Sequence, residues 1–102
     1  MDQVLLLTTT ESNKKKAKKI AKLLIKKKLA VCVSLKNIYS VYEWEGNIEE
    51  VIEVEITIKS KPELKNNLID FLHKISTYDV PQIIYKNYHS EMKYYDWLNK
   101  II

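Results

Sequence analysis

Val51-Ile52-Glu53-Val54-Glu55-Ile56-Thr57-Ile58-Lys59 alternates apolar and polar side chains, with Ile52, Val54, Ile56 and Ile58 on one face. Successive side chains of a strand point to opposite sides, so this stretch is a strand with one packed face and one face toward water or a polar partner. Ile38 to Glu45 reads as a strand just before it, and Glu45-Gly46-Asn47, which holds the only glycine, supplies the turn between them. Tyr39 to Lys59 is thus a long β-hairpin, and the rest of the chain must be arranged around it.

On the N-terminal side, the apolar run Gln3 to Thr9 suits a central strand buried on both faces, and Ser12-Asn13 offers helix N-cap chemistry. From Lys14 to Lys28 the residues Ala17, Ile20, Ala21, Leu24 and Ile25 recur every three or four positions, which predicts a helix with an apolar face and a lysine face. Leu29 to Leu35 reads as a further strand. On the C-terminal side, Ser60-Lys61-Pro62-Glu63 matches a capping box opening a helix with Leu64, Leu68, Ile69, Leu72 and Ile75 on its stripe. That helix must stop before Pro81, which forces its predecessor into extended geometry. Gln82 to Tyr88 then predicts a strand, and Glu91 to Ile102 a final helix on Met92, Tyr95, Leu98 and Ile102, widened by Tyr94, Trp97 and Ile101.

The pattern predicts an α+β fold, a ferredoxin-like split β-α-β sandwich with a long hairpin and an extra C-terminal helix. Both crossover helices cover the same sheet face in that architecture. The other face needs the C-terminal helix or a neighbouring subunit, and the hairpin leaves strand edges open to pairing, so a homo-oligomer is expected.

Composition narrows the function. At 102 residues and 46% hydrophobic content, residues 1–102 are expected to fold as one domain, with no stretch composed like a linker. The apolar run near the N-terminus is too short for a signal peptide core or a membrane span, so a cytoplasmic protein with no membrane association is expected. The single cysteine cannot form an internal disulfide, in keeping with a reducing compartment. All 17 basic residues are lysine; without the bidentate guanidinium fork of arginine, no nucleic-acid partner is expected, and the lysine face of the first helix reads as solvated.

Six pieces of the chain, taken together, resemble the CutA family, the divalent-cation tolerance proteins. They are Leu7-Thr8-Thr9, the helix Ala17 to Leu24, Leu29-Ala30-Val31-Cys32-Val33, Ser40-Val41-Tyr42-Glu43-Trp44-Glu45-Gly46, Tyr78-Asp79-Val80-Pro81 and Tyr95-Asp96-Trp97-Leu98. They stand in the family's order and cover nearly the whole chain. The resemblance implies a ferredoxin-like subunit, a tight homotrimer, a cytoplasmic setting and an association with copper and other divalent metals. The chain departs from the family where Ser76-Thr77 replaces a common His-Pro, where Gln82 replaces a glutamate after the proline, and where Lys36-Asn37 replaces a Pro-Gly pair before the hairpin.

Each candidate site has a structural reading beside the functional one. Cys32 matches the family cysteine and a thiolate suits copper, while a lone cysteine in an apolar strand is more often a small buried hydrophobe. His73 and His89 are the only imidazoles and have no close ligand spacing. Glu49, Glu50, Glu53 and Glu55 form an acidic patch that attracts hard cations or simply solvates the outer face of a strand. Tyr39, Tyr42 and Trp44 near the hairpin tip read as interface anchors or an aromatic pocket, and Trp97 belongs to the same interface-or-cleft set. Tyr78 and Asp79 offer acid-base groups or fix the turn before Pro81, with Gln82 beside them. No catalytic constellation or phosphate-binding loop is present in the sequence, so an enzyme is not expected. The leading expectation is a trimeric metal-response protein with weak copper binding. The alternative is a sensor or regulatory trimer whose inter-subunit clefts, near Tyr78 to Gln82 and the hairpin, take an anionic or aromatic ligand.

Overall fold

The alternating stretch forms one strand of a hairpin that runs on well past the rest of the sheet. The computed structural model describes residues 2–102. Its elements are β1 (Gln3–Glu11), α1 (Lys14–Lys26), β2 (Cys32–Trp44), β3 (Asn47–Ser60), a 3-10 turn (Pro62–Leu64), α2 (Lys65–Ile75), β4 (Ile84–His89) and α3 (Met92–Ile101). Neighbouring strands pair antiparallel in the order β2-β3-β1-β4. β3 lies between β1 and β2, and β1 lies between β3 and β4, so each β-α-β unit is split by a strand of the other. The expected mixed α+β class and strand arrangement are present.

Strand alternation sorts β1 onto two packed faces. Leu5 and Leu7, with Ile56 and Ile58 of β3, meet Ala17, Ile20 and Leu24 of α1 and Leu68 and Leu72 of α2 in the main core. Val4 points the other way and packs with Val31 and with Leu98 of α3 in a second, smaller cluster. The C-terminal helix therefore covers the base of the second face, held by one fully buried leucine.

Several local expectations are corrected. The two strands read at Leu29 to Leu35 and Ile38 to Glu45 are one continuous strand, and Lys36-Asn37 pairs with Glu55 and Val54 inside it, with no loop. Leu29 to Val31 is instead a connection, anchored where Ser60 Oγ donates to the Leu29 carbonyl at 2.7 Å. That bond also explains why the Ser60–Glu63 capping box does not form. Ser60 ends β3 fully buried, and Lys61 stands at the helix entrance without a side-chain cap. The caps that do form are Asn13 Oδ1, accepting from Lys16 N at 2.9 Å, Glu91 Oε2, accepting from Lys93 N at 2.7 Å at the start of α3, and a left-handed Lys28 (φ 61°) past the end of α1. Around Lys28, the Leu29 N–H donates to the Leu24 carbonyl and the Lys28 N–H to that of Ile25, a Schellman closure.

The sheet narrows along its length. β4 pairs with β1 only as far as Ile84–Thr8, β1 stops at the Glu11–Val54 pair, and β2 and β3 continue together to Trp44–Asn47. From Asn47 to Glu53, β3 has no strand on its other side, a reach of roughly 23 Å at the usual strand rise. The resulting ribbon stretches the molecule to 46 × 24 × 22 Å. It closes on Glu45 (φ 50°) and Gly46 (φ 81°); two successive positive φ angles make the two-residue type I′ turn whose twist matches the strands it joins. Ile52, expected on the packed face, is 74% exposed, because the helices end before they reach it.

Candidate functional site: a cleft at the root of the hairpin

Where β1 ends and the hairpin goes on alone, residues 76–83 adopt neither helix nor strand. The segment is pinned by Glu11, the last residue of β1, which is only 1% exposed. The Glu11 carboxylate accepts from the Ser12 N–H at 2.9 Å, from the Thr77 N–H at 3.4 Å and from the Thr77 hydroxyl. An ionised group is stable inside a protein only when donors replace the water it loses, and these three do so.

Pinning Thr77 places its neighbour. The Tyr78 hydroxyl donates to Glu53 Oε1 at 2.9 Å, and the Tyr78 N–H is held by Ser76 Oγ at 3.2 Å. Burial, followed by the hydrogen bond to Glu53, pushes the Tyr78 phenol well above its ordinary 10.0. It therefore stays protonated at neutral pH as the donor of the pair. Glu53 is itself 8% exposed, and its Oε2 has no hydrogen-bond partner among the described residues.

Between this segment and the hairpin lies a cleft of about 580 Å³. Thr10 and Ser40 bring hydroxyls to it, and Tyr42 and Trp44 bring aromatic rings. Val80 supplies apolar surface, and Asp79 and Gln82 add exposed polar groups. None of the chain's 17 lysines lines it.

Of the residues singled out in the sequence, the fold gathers Tyr42, Trp44, Tyr78, Asp79 and Gln82 around this cleft. It does not bring in Tyr39, which pairs with Ile52 on the other face of the ribbon and donates its hydroxyl to Glu50. Pro81 is half-buried and outside the lining, and Trp97 sits on α3 against Tyr94 with ring centroids 5.7 Å apart. Glu53, grouped in the sequence with solvated glutamates, is instead buried in the cleft wall. Glu11, Thr77, Thr10 and Ser40 were not among the site residues expected from sequence. The hint for Glu11 was a charged residue ending an otherwise uncharged strand; for Thr77 it was a hydroxyl in place of the family's proline.

Cys32 lies at the opposite end of β2, roughly 26 Å from Ser40 at the usual strand rise. It is half-buried against Val4, Val31 and Leu98. His73 is exposed on α2, and His89 ends β4 with Nδ1 3.0 Å from Asp2 Oδ1, a contact that lowers the Asp2 carboxyl. Among the described residues no three His, Cys, Asp or Glu side chains come together as a metal cluster. Among the described residues packed beside it, a copper ion at Cys32 would find one thiol and apolar neighbours, which does not fit a closed copper site.

The family described as CutA1 divalent ion tolerance protein matches residues 4–101. The chain belongs to the CutA family. Human Protein CutA is 43% identical over 68 residues, 66% of this chain, and that match spans only 38% of the human protein's length. The solved structure of CutA from Synechococcus elongatus PCC7942 superposes with a TM-score of 0.93 at 30% identity, covering 98% of this chain and 90% of that one. The Archaeoglobus fulgidus structure, described as a periplasmic divalent cation tolerance protein CutA, superposes at 0.92 with 28% identity over 96% of this chain and 97% of that one. The CutA architecture thus extends over nearly the whole chain, including the hairpin and the segment that pins the cleft.

Proposed function

We propose that this CutA family member is a cytoplasmic homotrimer that acts in the response to divalent metal ions, without enzymatic activity. The family match over residues 4–101 carries this reading. The ribbon supports assembly. Tyr39, Val41, Ile48 and Ile52 share one face of it by the β2–β3 register, and each is at least 59% exposed. A two-stranded ribbon with a bare apolar face is marginal in water and is stabilised when another surface covers it. The number three follows from the family resemblance. Among the described residues no helix is long and apolar enough to cross a membrane.

Any copper binding is weak or formed between subunits, with Cys32 as the thiol donor, because among the described residues no cluster of three ligating side chains forms around it. The test is titration of the purified, reduced protein with copper and with zinc while light scattering follows its mass. A trimeric mass with saturable copper uptake that is lost in Cys32→Ser supports both assembly and direct binding. A trimer without saturable uptake leaves the assembly standing and removes the direct metal role; a monomer overturns the assembly.

A second reading is favoured by one observation, the cleft with a buried carboxylate in its wall. In that reading the protein is a small-molecule sensor, and Tyr42, Trp44, Tyr78, Asp79 and Gln82 surround the ligand.

A further inference from the structure

We propose that the cleft at the root of the hairpin selects a small organic cation, an amine of metabolite size, whose ammonium group is held by Glu53. The inference rests on the cleft being a ligand site and specifies the charge of what it takes, which is opposite to that of the anion in the anionic-or-aromatic ligand expected from sequence. At about 580 Å³ the cleft has the size of a metabolite site and far exceeds a single metal ion. Glu53 is more than nine-tenths buried, yet the phenol of Tyr78 occupies only one of its oxygens, leaving Oε2 without a donor among the described residues. Oε2 is not itself sealed from solvent, so a ligand can reach it, and an N–H donor that carries a charge bonds a carboxylate oxygen more strongly than a neutral one.

The surroundings favour the same charge. Residues 37–58 contain six glutamates and no lysine, within a chain whose net charge is +4. Lysine makes up 17 of 102 residues, yet it is absent from the cleft lining, so an anion entering the cleft meets Glu53 and Asp79 with nothing to neutralise it. The hydroxyls of Thr10 and Ser40 offer acceptors for further N–H groups, and the faces of Tyr42 and Trp44 attract a cation through their ring quadrupoles.

The test uses three four-carbon probes that differ in charge: putrescine, 1,4-butanediol and succinate. Binding to the assembled protein is followed by calorimetry and by Trp44 fluorescence in a Trp97→Phe background, at physiological salt so that loose pairing with surface glutamates is screened. Saturable putrescine binding that Glu53→Gln weakens by about tenfold or more, with Glu43→Gln unchanged, is the expected result. Glu43 lies on the same ribbon outside the cleft and controls for general charge. Far-UV circular dichroism and oligomer mass of Glu53→Gln confirm that the fold is retained. Binding of succinate or butanediol as strong as that of putrescine overturns the charge assignment while keeping the cleft as a ligand site. Putrescine binding that Glu53→Gln leaves unchanged overturns the role of Glu53. No saturable binding of any probe overturns both the cation and the ligand cleft.

Discussion

Thr77 donates both its hydroxyl and its backbone N–H to the carboxylate of Glu11, sixty-six positions earlier in the chain. This clasp closes the end of β1 over the connection between α2 and β4. It stands where the family resemblance implies a proline. A proline restrains the backbone through its ring; here hydrogen bonds to a buried carboxylate supply the restraint. The clasp decides where Tyr78 sits, and with it the wall of the cleft.

Glu11→Ala should therefore lower stability by about 2–3 kcal/mol, because it leaves the Ser12 and Thr77 N–H groups without their acceptor. Thr77→Val, which keeps the volume and the backbone donor, should cost about 1 kcal/mol. The double variant should lose less than the sum, since each single change already breaks the shared contact. Denaturant midpoints of the four proteins measure this, and strict additivity would show that the clasp is not a coupled unit.

Glu45 occupies a left-handed position that glycine and asparagine adopt more readily. Glu45→Asn should raise stability by about 0.5–1 kcal/mol, with the hairpin register unchanged. Gly46→Ala should do the reverse, although no atom lies within 4 Å of the added Cβ, because its φ of 81° is strained for any side chain with a Cβ. Thermal unfolding followed by circular dichroism distinguishes the two.

Leu98 is the one fully buried side chain of α3. Leu98→Ala should cost about 2–5 kcal/mol and loosen the helix from Val4 and Val31. Cys32 lies beneath the same contact, so its rate of modification by a thiol reagent should rise in the variant. An unchanged rate would mean that the thiol is reached by another route.

The raised Tyr78 phenol predicts an alkaline loss of stability. Its folded value lies above the unfolded 10.0, so its contribution is fully present below pH 10 and declines as the unfolded chain begins to ionise above that. In an ultraviolet titration of tyrosinate, Tyr78→Phe should remove the last phenol to ionise. It should also flatten the fall in stability above pH 10 relative to the parent.

The sequence by itself determined the elements whose side-chain period is local. The alternation through Val54, Ile56 and Ile58, the helical stripes on Ala17, Ile20 and Leu24 and on Leu68 and Leu72, and the turn at Glu45-Gly46 follow from pleat, helical pitch and glycine's freedom at positive φ. The ordered motifs carried the family in the same way. Tertiary structure alone decided the rest. Ser60 looked like a helix cap, but its hydroxyl is taken by Leu29, thirty-one positions away. Ile52 continues the apolar alternation of β3, yet it lies beyond the ends of the helices and stays exposed. Glu53 looked like one more solvated glutamate, and it is buried because β1 ends one pair short of it and Tyr78 fills the gap. A local pattern records which face a side chain points to; what waits on that face depends on where distant strands and loops end, and no periodicity encodes that.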